Sequence, residues 1–401
     1  MANTLNLGNG NWATKKGSLL AYNSENGNFK PLPFDFTRAS SATVVNKSGL
    51  IETAANGVPR IDFLGNTNGA LLLEPQRTNS LLQSNQFNTT WATSSGVTIT
   101  SEQTISPQGI NNGWKFEKTA AAYKSIGQSY TSSNETTFSI FAKKGTLSVI
   151  TLFTNISGGT NLYQRFDLEN GIVSTGAGMS SSNIKDYGNG WYRCSSTFTN
   201  ASVTSLDFFA EFSENNAGYI YMYGAQAEQG SYATSLINTQ GSAVTRVQDV
   251  CKIVDSPILQ ATNQFTLFFD AKDFVNYGAT FANIMITLGA GESPYDAGSG
   301  IHIYNKIWYY FNGSSAVTLG NCYNATTDSK FAISYDGTKY TRYANGIKLG
   351  TNTTSASMSN WDTLTNGSLS YSGVDRIFNI ADLKLYNTAL TDAELAALTT
   401  I

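Results

Sequence analysis

Short β-prone segments alternate with clusters of turn-forming residues along most of this chain, and this pattern constrains its fold more than any other feature. Within residues 35–79 the β-prone pieces are separated by Gly, Asn, Pro and Ser, which break strands. The strand candidates of this region are 42–45, 50–51, 60–63 and 70–73. Those of the next region are 137–142, 148–153, 190–194, 206–212 and 219–223. Several short strands at even spacing, without helices between them, predict antiparallel β-sandwiches of the jelly-roll type.

Composition excludes several classes of function. Charged residues make up 13% of the chain, against about 25% in typical domains. The formal net charge is -3 and no run of Lys or Arg occurs, so binding to a phosphate backbone is not expected. Three distant cysteines indicate neither a disulfide framework nor a zinc site. We also expect no secretory signal and no membrane span, because no apolar run is long enough.

Three arginines recur beside acids in the segment 35–79. Arg38 lies near Asp35, Arg60 near Asp62, and Arg77 near Glu74. Guanidinium and carboxylate groups form bidentate pairs, so we predict that these six residues form structural ion pairs that hold short strands together. The alternative is that the arginines bind a phosphate or a sulfated glycan.

The same segment carries a resemblance to a known family. Three sequence segments, in a fixed order, resemble a module of structural proteins of tailed bacteriophages, namely head-spike, head-fibre and tail-fibre proteins. The segments are DFTRASSATVVNKSGLIE, VPRIDF and LLLEPQRTN. The resemblance implies a virion component with residues 1–83 as an attachment arm and connector module. Residues 1–34 then form either an extended arm that needs a partner surface or a strand pair folded back on the next domain.

Two further resemblances concern the rest of the chain. The run YIYMYGAQAEQGSYATSLINTQGSAVTRVQD ends at Asp249 and is similar to the closing strand and exit linker of a carbohydrate-binding-like β-sandwich, which implies a domain at 84–249. The runs FAISYDGTKYTRYANGIKLG and ADLKLYNTALTDAELAAL resemble the concanavalin A or laminin-G-like fold, which implies a domain at 250–401. In the second run Thr391 and Glu394 have the spacing of a helix capping box. The predicted fold class is therefore all-β, an N-terminal attachment module followed by two antiparallel sandwiches.

The stretch IHIYNKIWYYF at 301–311 is the candidate for sugar binding, because it is rich in the flat rings on which sugars stack. If residues 305–306 form a two-residue turn, Ile301, Ile303, Trp308 and Tyr310 share one side; in one continuous strand, His302, Tyr304, Trp308 and Tyr310 share a face. The alternative for Trp308 is core packing. The candidate glycan-binding residues are Trp308, Tyr310, His302, Tyr304, Trp361 and Tyr371.

The sequence patterns for a catalytic or metal site are weaker than the aromatic pattern at 301–311. His302 is the sole histidine, which leaves no multi-histidine metal site and favours a structural role for it. Glycoside hydrolysis needs two opposed carboxylates, and Glu211 with Glu214, or Asp270 with Asp273, are pairs that no spacing singles out. A loop at 292–296 that contains Glu292 and Asp296, and Asp382 elsewhere, supply oxygen ligands of the kind that Ca²⁺ prefers. We predict no catalytic residue, no resident metal and no cofactor.

The function expected from these observations is that of a bacteriophage virion surface protein, not an enzyme. It would be assembled in the host cytoplasm, released by lysis, and bound to other virion proteins through its N-terminal arm. A homotrimer and adhesion to host-surface polysaccharide are expected, with many weak contacts multiplied by copy number. The alternatives are a polysaccharide depolymerase of a tailspike and a purely architectural capsid decoration.

Overall fold

The computed structural model describes most of the chain. The described residues are 4–8, 12–15, 17–23, 28–131, 135–199, 202–253, 264–272, 286–289, 299–304, 307–312, 314–321, 329–354, 363–366 and 378–401. They form β-strands and one short α-helix, and the paired strands in every sheet are antiparallel. The all-β prediction is therefore confirmed. No helix in these ranges has the length and apolar character needed to cross a bilayer.

The strands are numbered in chain order. The first nine are β1 (Thr4–Gly8), β2 (Trp12–Lys15), β3 (Ser18–Asn23), β4 (Asn28–Thr37), β5 (Ala42–Val45), β6 (Ile51–Ala54), β7 (Arg60–Asp62), β8 (Ala70–Leu73) and β9 (Arg77–Asn79). The next thirteen are β10 (Ala92–Thr93), β11 (Val97–Ile105), β12 (Asn111–Lys118), β13 (Ser125–Ser129), β14 (Glu135–Lys144), β15 (Val149–Ile156), β16 (Leu162–Asp167), β17 (Ile172–Ala177), β18 (Ser181–Asp186), β19 (Trp191–Thr199), β20 (Val203–Ala210), β21 (Gly218–Gln229) and β22 (Val244–Arg246). The last are β23 (Val250–Ile253), β24 (Phe265–Lys272), β25 (Ile286–Gly289), β26 (Ser299–Tyr304), β27 (Ile307–Asn312), β28 (Ala316–Asn321), β29 (Ser329–Tyr335), β30 (Lys339–Ala344), β31 (Ile347–Thr353), β32 (Thr363–Asn366) and β33 (Phe378–Tyr386), and the helix is α1 (Asp392–Thr399).

The chain divides into two compact units, each a sandwich. Unit 1 contains residues 1–41, 54–76 and 247–401, and unit 2 contains 42–53 and 77–246. This grouping differs from the predicted boundaries at 83 and 249, because the first 83 residues do not form a unit of their own. Strands β7 and β8 instead extend the sheet that contains β33, with Leu71 opposite Ile380. The predicted connector is thus built into the neighbouring sheets.

Unit 1 packs two sheets around one core. The first has the order β31-β30-β29-β24-β33-β8-β7, with β1 also on β33, and the second has the order β2-β3-β4-β23-β32-β25-β26-β27-β28. Both sheets contribute fully buried side chains, for example Phe269 and Ile333 from the first and Ile303 and Trp308 from the second. Helix α1 places Leu395 against Phe268 on the other side of the first sheet.

Unit 2 is the second sandwich. One sheet has the order β10-β13-β20-β15-β16-β17 and the other β11-β12-β21-β14-β19-β18. Alternate residues such as Leu152, Phe208, Phe138 and Met222 meet in the core with no exposed surface. The segment 231–239, which the sequence presents as an exit linker, contributes the buried side chains of Tyr232, Leu236 and Ile237. It is therefore a packed part of this unit.

Several local predictions are confirmed. Strands β26 and β27 pair with Ile303 opposite Trp308 and Ile301 opposite Tyr310, which is the register of the predicted hairpin. Asn345 and Gly346 form the two-residue connection between β30 and β31, both at positive φ, as a tight hairpin turn requires. Thr391 accepts a hydrogen bond from the Glu394 amide and completes the capping box of α1.

The arginines of the segment 35–79 form ion pairs with acids that lie farther along the chain than their predicted neighbours. Arg38 binds Asp249 at 3.0 Å, and Arg60 binds both Glu74 at 2.7 Å and Asp249. Asp35 is exposed, whereas Asp62 is buried on the same side of β7 as Arg60. Asp249 reaches both arginines because residues 247–249 run beside the end of β8, where the Asp249 amide donates to the Glu74 carbonyl at 2.9 Å.

Arg77 has a different environment, in unit 2. Its Nε lies 3.7 Å from Glu228 Oε2 and its guanidinium lies over the ring of Tyr232. Glu74, the partner predicted for Arg77, forms an ion pair with Arg60 at 2.7 Å. Arg38, Arg60, Arg77 and Glu74 thus have the structural role expected of them, with pairings that join residues far apart in sequence.

Candidate functional site

The outer face of one unit 2 sheet carries a cluster of rings and polar groups that the core does not use. In β15 and β20 the residues that face the core, such as Leu152 and Leu206, have no exposed surface. Because side chains alternate along a strand, Asn155, Ser205 and Asp207 point to the opposite, outer side. We call this outer face of β13, β20, β15 and β16, with the adjoining loops 119–124 and 211–217, the Asp207 site.

A carboxylate, an amide and a hydroxyl form a hydrogen-bonded trio in this site. Asn155 Nδ2 donates to Asp207 Oδ2 at 2.6 Å, and Ser205 Oγ donates to the same oxygen at 2.6 Å. Burial raises the pKa of Asp207 above its usual value, and the two hydrogen bonds oppose that rise. Among the described residues, Oδ1 accepts no hydrogen bond, so it is left as an acceptor for a ligand hydroxyl.

Glycine at position 127 makes room for the carboxylate. Gly127 lies directly opposite Asp207 on β13, and a Cβ there would stand 2.3 Å from Asp207 Oδ1 and 2.7 Å from the Leu206 carbonyl oxygen. Asp207 therefore leans over the one position in this row that has no side chain. The neighbouring outer positions of β13 are Ser125 and Ser129, which are also small.

Replacing Gly127 by alanine should push the carboxylate out of place. We expect Gly127→Ala to lower the free energy of unfolding by about 1–3 kcal/mol, the usual cost of overpacking. Urea unfolding measures this cost. Gly241→Ala is the matched control in the same unit, because a Cβ at 241 meets nothing within 4 Å, and its effect should be within about 0.5 kcal/mol. Equal effects of the two substitutions would contradict the crowding inferred at 127.

Five aromatic rings lie together beside the trio. Phe212 is at the centre, with ring centroids 5.3 Å from Phe153, 5.0 Å from Phe209 and 5.4 Å from Tyr163, the last stacked at 28°. Tyr123 meets Phe212 edge to face at 5.1 Å and is 61% exposed. Phe153 and Phe209 are buried beneath Phe212, while Phe212 and Tyr163 are half-buried. The cluster is thus a ring surface that is anchored below and partly open above.

The two loops that complete the site have a strained backbone. Tyr123 and Glu211 adopt φ values of 57° and 48°, which non-glycine residues rarely do. Contacts between the loops hold them: the Tyr123 amide donates to the Phe212 carbonyl, and the Ala122 amide donates to Asn215 Oδ1, each at 2.9 Å. Strain of this kind concentrates at ligand sites, so its presence beside the ring cluster supports a functional role for this face.

One ion pair lies at the site. Arg165 on β16 forms an ion pair with Glu214 of the 211–217 loop. Burial raises the pKa of Glu214, but hydrogen bonding and the charge of Arg165, with help from Ser213, outweigh it and lower the pKa below its usual range. A carboxyl held ionised in this way is a poor proton donor, so Glu214 does not fit the role of the general acid in glycoside hydrolysis.

Of the glycan-binding residues predicted from the sequence, the two whose side chains the structure describes, Trp308 and Tyr310, are not in this site. Trp308 and Tyr310 are 0% and 3% exposed in the core of unit 1, next to Phe269 and Tyr340. A buried ring cannot stack on a sugar, so the structure corrects this assignment and supports the packing alternative for Trp308. His302 and Tyr304 lie in β26, but their side chains are outside the described part of the chain. Trp361 and Tyr371 also lie outside the described residues.

The described part of the chain does not bring the oxygen ligands considered for Ca²⁺ together. The loop 292–296 lies outside the described residues, and Asp382 forms an ion pair with Lys384 at 2.8 Å. In the described ranges, no three His, Cys, Asp or Glu side chains come together as a metal site would require. The predicted pair Asp270 and Asp273 is described only at Asp270, which binds Lys272 at 3.0 Å.

Comparisons with known proteins gave similarity to solved structures only. No family model matches the chain, and no curated protein sequence matches it. The similar structures include the CBM40 module of Ruminococcus gnavus IT-sialidase, with 18% identity over 35% of this chain and 85% of that chain and a TM-score of 0.28. Domain 4 of the Geobacillus stearothermophilus GH43 arabinanase AbnA, in complex with arabinotriose, has 13% identity over 43% and 84%, with a TM-score of 0.31. The binding domain of botulinum neurotoxin DC, in complex with SialylT, has 13% identity over 38% and 39%, with a TM-score of 0.30. Likenesses with TM-scores this low carry no argument about this chain.

Proposed function

We propose that this protein binds glycans through the Asp207 site and acts as a non-enzymatic surface component of a bacteriophage virion. The observation that carries the binding proposal is one cross-strand row on the outer face of the sheet. In it Asp207, whose Oδ1 accepts no hydrogen bond among the described residues, lies opposite Phe153, and Phe153 lies opposite the half-buried Tyr163, which stacks on Phe212. A sugar presents hydroxyls at its edge and C–H groups on its faces, so a site with a fixed acceptor and a flat apolar surface matches both.

The trio also fits binding better than bond-breaking. Asn155 and Ser205 hold Asp207 in one orientation, which is the preorganisation that reduces the entropic cost of binding. Glycoside hydrolysis requires a raised-pKa acid and a second carboxylate across the scissile bond. Burial raises the pKa of Asp207, but Asn155 and Ser205 donate to its carboxylate and so use it as an acceptor, and Glu214 is bound to Arg165 in an ion pair. These features support the display function over the depolymerase alternative.

The proposal of a virion location rests on the resemblance of three sequence segments within residues 35–79 to phage structural proteins. Under it, the N-terminal segment contacts other virion proteins, the protein is a homotrimer, and weak sugar contacts are multiplied by copy number. Mass spectrometry of purified particles tests the location, and light scattering during size-exclusion chromatography tests the trimer. Absence from the particle, or a monomer at micromolar concentration, would contradict these two points respectively.

A glycan array followed by titration calorimetry tests the binding site. We expect the wild-type protein to bind at least one bacterial surface glycan, and Asp207→Ala and Phe212→Ala each to weaken that binding about 10- to 100-fold, as loss of an anchoring contact does. Tyr221→Ala is the matched control, because Tyr221 is a half-buried tyrosine on the other sheet of unit 2, and it should leave affinity unchanged.

The same preparation separates the alternatives. Release of reducing ends from the bound polysaccharide would favour the depolymerase and overturn the non-enzymatic assignment. Failure to bind any bacterial surface glycan would favour the purely architectural decoration. Equal loss of affinity in Tyr221→Ala and Asp207→Ala would move the binding surface away from the Asp207 site.

A further inference from the structure

A buried lysine joins the two loops of the Asp207 site. Lys118 is the last residue of β12 and follows Trp114 and Phe116 on the core side of the strand. Its side chain is 2% exposed. Since a charged residue is rarely buried without partners, its ammonium group needs acceptors at this end of the sandwich.

The acceptors are main-chain carbonyl oxygens of both loops. Lys118 Nζ donates to Glu214 O at 2.7 Å, to Glu211 O at 3.3 Å and to Ala121 O at 3.3 Å. An ammonium group has three hydrogens to donate, so the three carbonyls satisfy it fully. Burial lowers the pKa of Lys118, and the charges of Glu211 and Glu214 oppose that fall. The surroundings therefore resemble a cation site, with carbonyl oxygens as ligands and two carboxylates as neighbouring counter-charges.

We propose that Lys118 is a positioning residue that acts as an internal cation and holds both loops of the Asp207 site in their strained conformation. The loop 119–124 contributes Tyr123 and the loop 211–217 contributes Phe212 and Glu214 to the site. Glu211 and Tyr123 have positive φ, so the strained residues lie next to the carbonyls that the ammonium group binds. Lys118 does not contact the open surface itself. This inference deepens the proposed function and rests on it only where glycan affinity is measured.

Hydrogen exchange of the two loops tests the proposal without any glycan. In Lys118→Met the stem keeps its length but loses the charge, and we expect amide exchange in 119–124 and 211–217 to rise about tenfold or more, since hydrogen bonds to a charged group are lost. The matched control is Lys185→Met, a partly exposed lysine on β18 in the other sheet of the same unit, which should not change exchange in these loops.

Chemical rescue distinguishes an internal cation from a packing residue. Lys118→Ala removes three methylene groups and the ammonium group, a volume that propylammonium matches. We expect propylammonium to restore slow exchange in both loops, while 1-propanol at the same concentration does not, because only the cation satisfies three carbonyls. Equal rescue by the two, or rescue by neither with the fold intact, would overturn the proposal.

Affinity measurements then connect Lys118 to the site. Lys118→Met should weaken binding of the glycan found for the wild-type protein, and propylammonium should restore it in Lys118→Ala. If the wild-type protein binds no glycan, the proposed function fails while the exchange and rescue results still decide the role of Lys118. If Lys118→Met has normal affinity and normal exchange, the role of Lys118 fails while glycan binding stands.

Discussion

Asp249→Asn is expected to lower the stability of unit 1 by about 3–5 kcal/mol, the cost of leaving a buried charge without its partner. The Asp249 carboxylate accepts from Arg38 Nη1 at 3.0 Å, from Arg60 Nη2, and from the Glu74 amide at 2.9 Å. The side chains of Arg38, Arg60 and Asp249 are fully buried. Burial by itself would lower the pKa of Arg60, but Asp249 and Glu74 outweigh it and raise the pKa above its ordinary value. Because a guanidinium group is not deprotonated in proteins, both arginines stay charged when Asp249 is replaced by the neutral Asn.

Hydrogen exchange of β24 and β33 as a function of urea measures this change in unit 1. Lys348→Ala is the matched control, because Lys348 and Asp392 form an ion pair at 2.7 Å with side chains 42% and 59% exposed. An exposed pair contributes about 0–1 kcal/mol. In the Asp249→Asn background, Arg38→Met should cost less than it does in the wild type, since the unpaired charge is removed with the arginine. Additive effects, or a loss no larger than that of Lys348→Ala, would contradict the buried cluster.

The buried cluster shows how far sequence reasoning reaches. The residue types were sufficient to predict that Arg38, Arg60 and Arg77 form structural ion pairs, because charged groups are scarce in this chain and each arginine has an acid close by. Which acid each binds depends on tertiary packing. Arg38 and Asp249 are 211 residues apart, and their contact depends on residues 247–249 lying beside β8, which no local spacing reveals.

Local pairing was easier to predict than sheet membership. The hairpin of β26 and β27 and the turn at Asn345 follow from turn chemistry and alternation within a short stretch. By contrast, β7 and β8 join the sheet of β33, more than 300 residues later in the chain. The β-prone pattern of 60–63 and 70–73 identifies strands but not their partners, and the separate module at 1–83 is predicted only by the resemblance of 35–79 to phage structural proteins.

The Asp207 site was missed because its residues come from four strands and two loops. Asn155, Ser205 and Asp207 meet only through the register of β15 and β20, and Gly127 is significant only because it lies opposite Asp207. One signal was present in the sequence: β20 alternates Leu206 and Phe208 with Ser205, Asp207 and Phe209, so an aromatic residue and an acid share the side away from the core. The segment 301–311 was richer in rings, but those of Trp308 and Tyr310 stabilise the core.

Trp308→Ala should therefore destabilise unit 1 by about 3–5 kcal/mol, the usual cost of removing a large core side chain, and should not report on a sugar site. Trp308 has no exposed surface and meets Phe269 edge to face at 6.1 Å. Its indole N–H is buried without a hydrogen-bond partner among the described residues. Trp308→Phe keeps most of the ring volume and removes that unsatisfied donor, so it should cost less than half as much as the alanine variant.

Urea unfolding followed by hydrogen exchange of β26 and β27 measures both variants, and titration with the glycan bound by the wild type measures their affinity. Trp308→Phe is the informative variant for binding because it remains folded. We expect its affinity to equal that of the wild type, since the residues of the Asp207 site belong to unit 2 and Trp308 belongs to unit 1. A folded Trp308→Phe protein with affinity reduced as far as that of Asp207→Ala would place the sugar on the 301–311 hairpin after all.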